Sequence, residues 1–218
     1  MKIETKTGVY ASESGVTFNY IVQRTGNPCA ENVPMLVYLH GGDGVGSDVG
    51  KLFRIECMAS YLASGKAHTD KDAIILSPQC PQGTKWYTLE KETLGLIDYV
   101  ADAEKADKSR ISLTGCSLGG MGTFAVAIAA PEKFSCIVPV CSSVHPEKCT
   151  VLKDVTTWIF HGELDSGMGF SAIEANCVIK EAGGRSKLTL LPGEGHEIRH
   201  VYYDEKYALL DWMLSQSR

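Results

Sequence analysis

Residues 111–120 read Ile111-Ser112-Leu113-Thr114-Gly115-Cys116-Ser117-Leu118-Gly119-Gly120. The first four form a short, largely apolar run of strand character. G-x-S-x-G follows, and then a stretch holding Gly120, Gly122, Ala125, Ala127 and Ala129, with the small residues of a tightly packed helix. A strand, then G-x-S-x-G, then a helix is the context of a nucleophile elbow, a sharp turn that projects a serine hydroxyl. Crowding dictates the glycines. Residues two before and two after the serine face each other, and only small ones fit between the backbones.

The flanking sequence extends this pattern in both directions. Val16, Phe18, Tyr20 and Val22 alternate with mostly polar residues, which predicts a half-buried antiparallel strand. Met35 to Leu39, Ala73 to Leu76, Ile111 to Leu113 and Thr157 to Phe160 are short apolar runs suited to strands covered on both faces. Cys136 to Val140 is similar, but Pro139 lacks an N–H and is expected to mark that strand's end. Lys187 to Leu191 completes the set. Ile55, Ala59 and Leu62 share a helical face, as do Leu94, Ile97 and Ala101. Ser171 with Glu174 predicts a capping box, and Gly183-Gly184 a stop. Tyr207, Leu210, Met213 and Leu214 predict a C-terminal amphipathic helix. This alternation predicts an α/β fold, a mostly parallel sheet with helices on both faces. Ligands of such sheets sit at the carboxyl ends of the strands.

Composition narrows the class. A length of 218 residues suits one domain, 1–218. With 44% hydrophobic and 22% charged residues, neither a disordered chain nor a coiled coil is expected. The net charge of −5 argues against a nucleic-acid partner, which calls for a Lys/Arg excess. No run approaches the ~18 apolar residues of a membrane span. The stretch Met1-Lys2-Ile3-Glu4-Thr5-Lys6-Thr7-Gly8 lacks the apolar core of a secretory signal. The 8 cysteines form no CxxC and no zinc-finger spacing, so they read as reduced thiols of a cytoplasmic protein.

A serine nucleophile needs a base, and the base an orienting acid. In this architecture they follow in the order Ser, Asp/Glu, His. His161-Gly162-Glu163-Leu164-Asp165 follows one predicted strand, and Pro192-Gly193-Glu194-Gly195-His196 follows another. Ser117, Asp165 and His196 are therefore the candidate nucleophile, acid and base. Glu163 is the alternative acid and His200 the alternative base. Acyl transfer also needs N–H groups aimed at the developing oxyanion. The amides of Leu118 and of Gly42, in His40-Gly41-Gly42-Asp43-Gly44, are the candidate donors, with Asp43 as neighbouring donor and pocket residue. Trp86, Tyr87 and His145 are candidates for the pocket wall. Cys116 reads as a buried thiol, and His40 and His161 as hydrogen-bonded structural residues.

The segments Leu39-His40-Gly41-Gly42, Ser77-Pro78-Gln79-Cys80-Pro81, Arg110 to Gly122, His161 to Asp165 and Gly193 to His196 resemble those of an α/β-hydrolase. The chain is similar to the compact bacterial phospholipase/carboxylesterase and "predicted peptidase" groupings, relatives of dienelactone hydrolase. The family often continues with Val-Pro after the acid, whereas Met168-Gly169 stands nearby here. The resemblance implies a serine carboxylesterase, with no metal and no cofactor; a length of 218 residues leaves no insertion for a separate lid or a deep acyl tunnel, so small or short-acyl esters are the expected substrates. Alternatives are an acyl-thioesterase or lysophospholipase, and a non-catalytic binding module on the same fold.

Overall fold

The computed structural model describes residues 3–218; Met1 and Lys2, at the head of the N-terminal stretch read above, lie outside it. Strands β1 (Glu4–Ala11), β2 (Thr17–Thr25), β3 (Val33–Leu39), β4 (Ala73–Pro78), β5 (Ala106–Cys116), β6 (Cys136–Val140), β7 (Thr156–Gly162) and β8 (Ser186–Leu191) form one sheet. Their order across it is β1-β2-β4-β3-β5-β6-β7-β8. β2 pairs antiparallel with both β1 and β4, and from β4 to β8 all neighbours run parallel.

The period of a strand divides the core in two. Met35, Val37 and Leu39 of β3 share one core with helices α2 (Glu90–Ala103), α3 (Leu118–Ala129) and α4 (Ser171–Glu181). Leu36 and Tyr38 point the other way, into a core with α1 (Met58–Ser64) and α5 (Leu209–Ser215). Every residue of β3 and β4 is buried, as their unbroken apolar runs require.

Three local expectations need correction. Pro139 does not end its strand but lies within β6, between β5 and β7. The ladder accommodates it: β6–β7 partners run Cys136, Ile137 and then Val140, so no pair is asked of the missing N–H. Ser171 does not cap α4; the N-cap is Phe170, and the Ser171 hydroxyl instead accepts from the amide of Val144 at 3.1 Å. The side chain thereby ties α4 to the loop after β6. β1 was not foreseen. Its side chains are exposed or half-buried and include Glu4 and Lys6, so it lacks a clear apolar alternation. Charge on such an edge strand discourages pairing with other chains.

The contact that seats the site lies where α3 begins. A Cβ on Gly119 would overlap the carbonyl of Leu39, the last residue of β3. Only a glycine lets the first turn of α3 rest on the end of that strand. Gly119→Ala is expected to destabilise the protein by about 3 kcal/mol, the upper end of the usual overpacking cost, because the obstruction is backbone. Gly42→Ala, where a Cβ meets open space, is expected to change stability by less than about 1 kcal/mol. Urea denaturation midpoints of the two variants check the contrast.

Candidate active site

Ser117 joins β5 to α3 at φ 59° and ψ −119°, a backbone conformation that side-chain-bearing residues seldom adopt. Two bonds hold it there. Its amide donates to Val140 O at 3.0 Å, and its carbonyl accepts from Met121 N at 3.0 Å. The turn brings Ser117 Oγ to 2.8 Å from Nε2 of His196. Nδ1 of His196 lies 2.7 Å from Oδ2 of Asp165. A carboxylate only accepts, so Nδ1 carries the proton and Nε2 is left to accept from the serine hydroxyl.

Asp165 sits on the turn after β7, where its amide donates to Gly162 O at 3.1 Å. The same turn is bound to the loop after β8 by Leu164 N donating to Glu194 O at 2.8 Å. There the backbones of Gly162 and Gly195 approach so closely that a Cβ on Gly162 would overlap Gly195 O. The acid and the base are thus positioned by main chain against main chain. Burial pushes the Asp165 carboxyl up, but its hydrogen bond to His196 outweighs this and helps hold it below the usual value.

The Gly41-Gly42-Asp43 loop follows β3 and turns into a short 3-10 helix at Gly42–Gly44. Gly42 opens that helix and Leu118 opens α3, so neither amide has an intrahelical carbonyl to bond. Three side chains fix the loop. Nε2 of His40 accepts from Cys80 N at 2.9 Å, which leaves Nδ1 as donor to Gly41 O at 2.6 Å. Trp86 Nε1 donates to His40 O at 3.0 Å. Arg199 Nη1, three residues past His196, donates to Asp43 Oδ2 at 2.9 Å. Burial alone lowers the affinity of Arg199 for its proton, and the Asp43 carboxylate more than reverses this.

The pocket candidates separate. Trp86 is fully buried, packed on Phe18 and His40, and belongs to the core rather than to a pocket wall. Asp43 spends its carboxylate on Arg199. Tyr87 and His145 do line a cavity of about 610 Å³, to which Ser117, Asp165 and His196 contribute no wall. Its floor is Met121, Ala125 and Ile128, one stripe of α3 that begins four residues after Ser117. Glu90, Ser143 and Lys148 supply polar groups around it. Glu163 accepts from Gly193 N at 2.8 Å and does not reach the His196 ring. His200 lies 3.6 Å from Glu194 and makes no contact with Ser117. Burial pushes the Cys116 thiol up to about 12. His161, expected as a hydrogen-bonded structural residue, is buried, but its Nδ1 has no hydrogen-bond partner. The sequence reading missed Arg199, Met121 and Lys148. Arg199 offered one signal, a cation close after the candidate base.

Burial drives His40 from 6.5 down to about 4, so it is neutral at ordinary pH. The unfolded chain therefore takes up this proton first as the pH falls. The stabilisation is complete above about 6.5 and is lost progressively down to about 4, where the loss reaches about 3 kcal/mol. Urea unfolding at pH 7 and pH 4.5 is expected to show this loss, and a His40→Gln variant a shallower dependence over the same interval.

A model of the prolyl oligopeptidase family matches residues 90–159, a segment that includes Ser117 but neither Asp165 nor His196. No curated protein matches the chain. Among solved structures, a thermostable esterase superposes with a TM-score of 0.79 at 23% identity over 98% of this chain, which spans 63% of that protein's length. A ferulic acid esterase gives a TM-score of 0.70 at 15% identity, covering 98% of this chain and 99% of that one. The S-formylglutathione hydrolase of Staphylococcus aureus gives 0.71 at 16% identity, covering 98% and 97%. Sheet order, elbow and superpositions agree on the architecture: the chain has the α/β-hydrolase fold.

Proposed function

We propose that the chain is a serine carboxylesterase acting on small or short-acyl esters through an acyl-enzyme. The observation that carries this reading is the line Ser117 Oγ–His196 Nε2 at 2.8 Å and His196 Nδ1–Asp165 Oδ2 at 2.7 Å. His196 takes the Ser117 proton as Oγ bonds to the ester carbonyl carbon. The amides of Leu118 and Gly42 stabilise the oxyanion. As the tetrahedral intermediate collapses, the C–O bond breaks and His196 hands its proton to the departing alcohol. Water, deprotonated by His196, then adds to the acyl carbon; the bond from that carbon to Ser117 Oγ breaks, His196 returns the proton to Oγ and the carboxylic acid leaves. Asp165 stays ionised throughout and stabilises the imidazolium. This assigns no step to a metal or cofactor. A cytoplasmic setting is part of this reading, proposed from the absence of any disulfide or zinc spacing pattern among the 8 cysteines of the sequence. No helix among the described residues is long and apolar enough to cross a membrane.

The cavity supports the preference for small groups. Its α3 floor is apolar, but Glu90, Ser143, His145 and Lys148 also line it, so a long alkyl chain would have to lie against polar and charged side chains. Each buried CH₂ is worth about 0.8 kcal/mol, a gain available only while apolar wall continues. A second reading, thioester hydrolysis, is favoured by the likeness to the S-formylglutathione hydrolase.

Ser117→Ala is expected to fold and to lose at least about 10³ in kcat, a modest figure beside nucleophile knockouts in other serine hydrolases. Cys116→Ser is expected to remain active. Asp165→Asn is expected to impair turnover far more than Glu163→Gln. Initial rates on p-nitrophenyl acetate and labelling by a fluorophosphonate probe measure these; an unlabelled wild type would point to the binding-module alternative.

Across p-nitrophenyl esters held below their micelle-forming concentrations, kcat/KM is expected to peak at about two to four acyl carbons and to fall by about eight to ten. A steady rise through ten carbons would favour a thioesterase or lysophospholipase instead. The panel should include acetylated and feruloylated sugars and an acyl thioester.

A further inference from the structure

Behind the acid of the triad lies a second group of metal-ligating side chains. Cys141 follows β6, His161 lies near the end of β7, and Asp165 is on the turn beyond it. One donor atom from each lies within 4.8 Å of the others. All three residues are buried, at 0%, 2% and 7% exposure. Nδ1 of His161 is buried without a hydrogen-bond partner, a costly state for a ring nitrogen. A cavity of about 300 Å³, lined by His161, Leu164, Asp165 and Phe170, reaches two of the three. Leu164 and Phe170 are 64% and 71% exposed, so the turn carrying Asp165 is open to solvent.

We propose that Cys141, His161 and Asp165 form an inhibitory Zn²⁺ site that disables the triad from behind. The chemistry of the donors selects the ion. A thiolate and a carboxylate together cancel the charge of a divalent cation, which makes burial of the complex tolerable, and the imidazole binds neutral. Sulfur and imidazole nitrogen favour Zn²⁺ over Mg²⁺ or Ca²⁺. A tetrahedral shell needs its ligand atoms about 3.5 Å apart, so the three side chains must draw in by roughly an ångström to close on the ion. The cavity supplies a water for the fourth position. On binding, the Cys141 thiol gives its proton to solvent, and no electron changes hands.

The consequence rests on the reading of Asp165 as the orienting acid. A cation on Asp165 cancels the charge that stabilises the His196 imidazolium, while the substrate cavity along α3 is untouched. Turnover falls and KM stays.

The test uses the whole chain, stripped of metal by a chelator and dialysed. With p-nitrophenyl acetate, Zn²⁺ is expected to lower kcat tenfold or more at constant KM, reversibly by chelator, and Mg²⁺ to do nothing. Co²⁺ is expected to give a thiolate-to-cobalt charge-transfer band in the wild type and none in Cys141→Ser. Equilibrium dialysis is expected to find one Zn²⁺ per chain, lost in His161→Gln. Each variant, relative to its own metal-free rate, is expected to be at least tenfold less sensitive to Zn²⁺. Undiminished inhibition in both variants would place the metal on His196 and overturn the proposal, as would the absence of the cobalt band or of Zn²⁺ binding. If the metal-free wild type hydrolyses no ester, the esterase reading fails, and the band and the dialysis still decide the site.

Discussion

The close approach of α3 to the end of β3 is the constraint on which the rest of the site depends. Because Gly119 rests on the Leu39 carbonyl, the chain must turn within a single residue, and that residue is Ser117. A side chain in that conformation costs on the order of 1–3 kcal/mol. The bonds of Ser117 N to Val140 O and of Met121 N to Ser117 O offset part of it. The burial of Phe124, Val126 and Ala127 against the sheet offsets more. The serine is therefore aimed by the three central strands rather than by a loop. The same seating sets the Leu118 amide beside the Gly42 loop, since that loop leaves the strand on which α3 rests.

Charge around this frame is distributed so that the reacting groups stand apart from the supporting ones. His40 sits directly under the Gly41–Gly42 loop and is kept neutral by burial, so it serves as a fixed donor and acceptor pair rather than as a cation. The positive charge nearby is Arg199, and Asp43 neutralises it. That pair also closes a loop of structure, because Arg199 belongs to the segment that carries His196 while Asp43 belongs to the segment that carries Gly42. Cys116, adjacent to the serine, is held as a neutral thiol by burial even with a guanidinium close by. Its neighbour Ser117 is the only one of the two with a base in reach.

The features legible in the sequence share one property: they are local. Continuous apolar runs identified the buried strands β3 and β4, because a strand covered on both faces leaves no other pattern. G-x-S-x-G was legible because the crowding that demands its glycines acts within five residues. Asp165 and His196 were legible because each stands just past a strand end on the same edge of the sheet. What the sequence concealed depends on partners distant along the chain. Ser171 and Glu174 match a capping box, yet Ser171 accepts from Val144, 27 residues away, and tertiary demand overrides the local option. Trp86 stood beside Tyr87 on a loop, and nothing nearby in sequence told that one ring packs on Phe18 while the other lines a cavity. Arg199 and Asp43 are 156 residues apart.

Asp165 connects these two halves of the argument, because its carboxylate has two sides in different surroundings. One side faces His196 and is locked by the backbone contacts that join the turn after β7 to the loop after β8. The other faces Cys141 and His161 at the head of a cavity whose outer wall, Leu164 and Phe170, is largely exposed. Ser117 is overdetermined by packing, so little can act on it without unfolding the elbow. In the proposed mechanism Asp165 acts only through its charge, and the proposed metal site would alter that charge without touching Ser117 or the candidate oxyanion amides. On the proposed mechanism, the acid rather than the nucleophile is therefore the member of the triad that the proposed metal site would control.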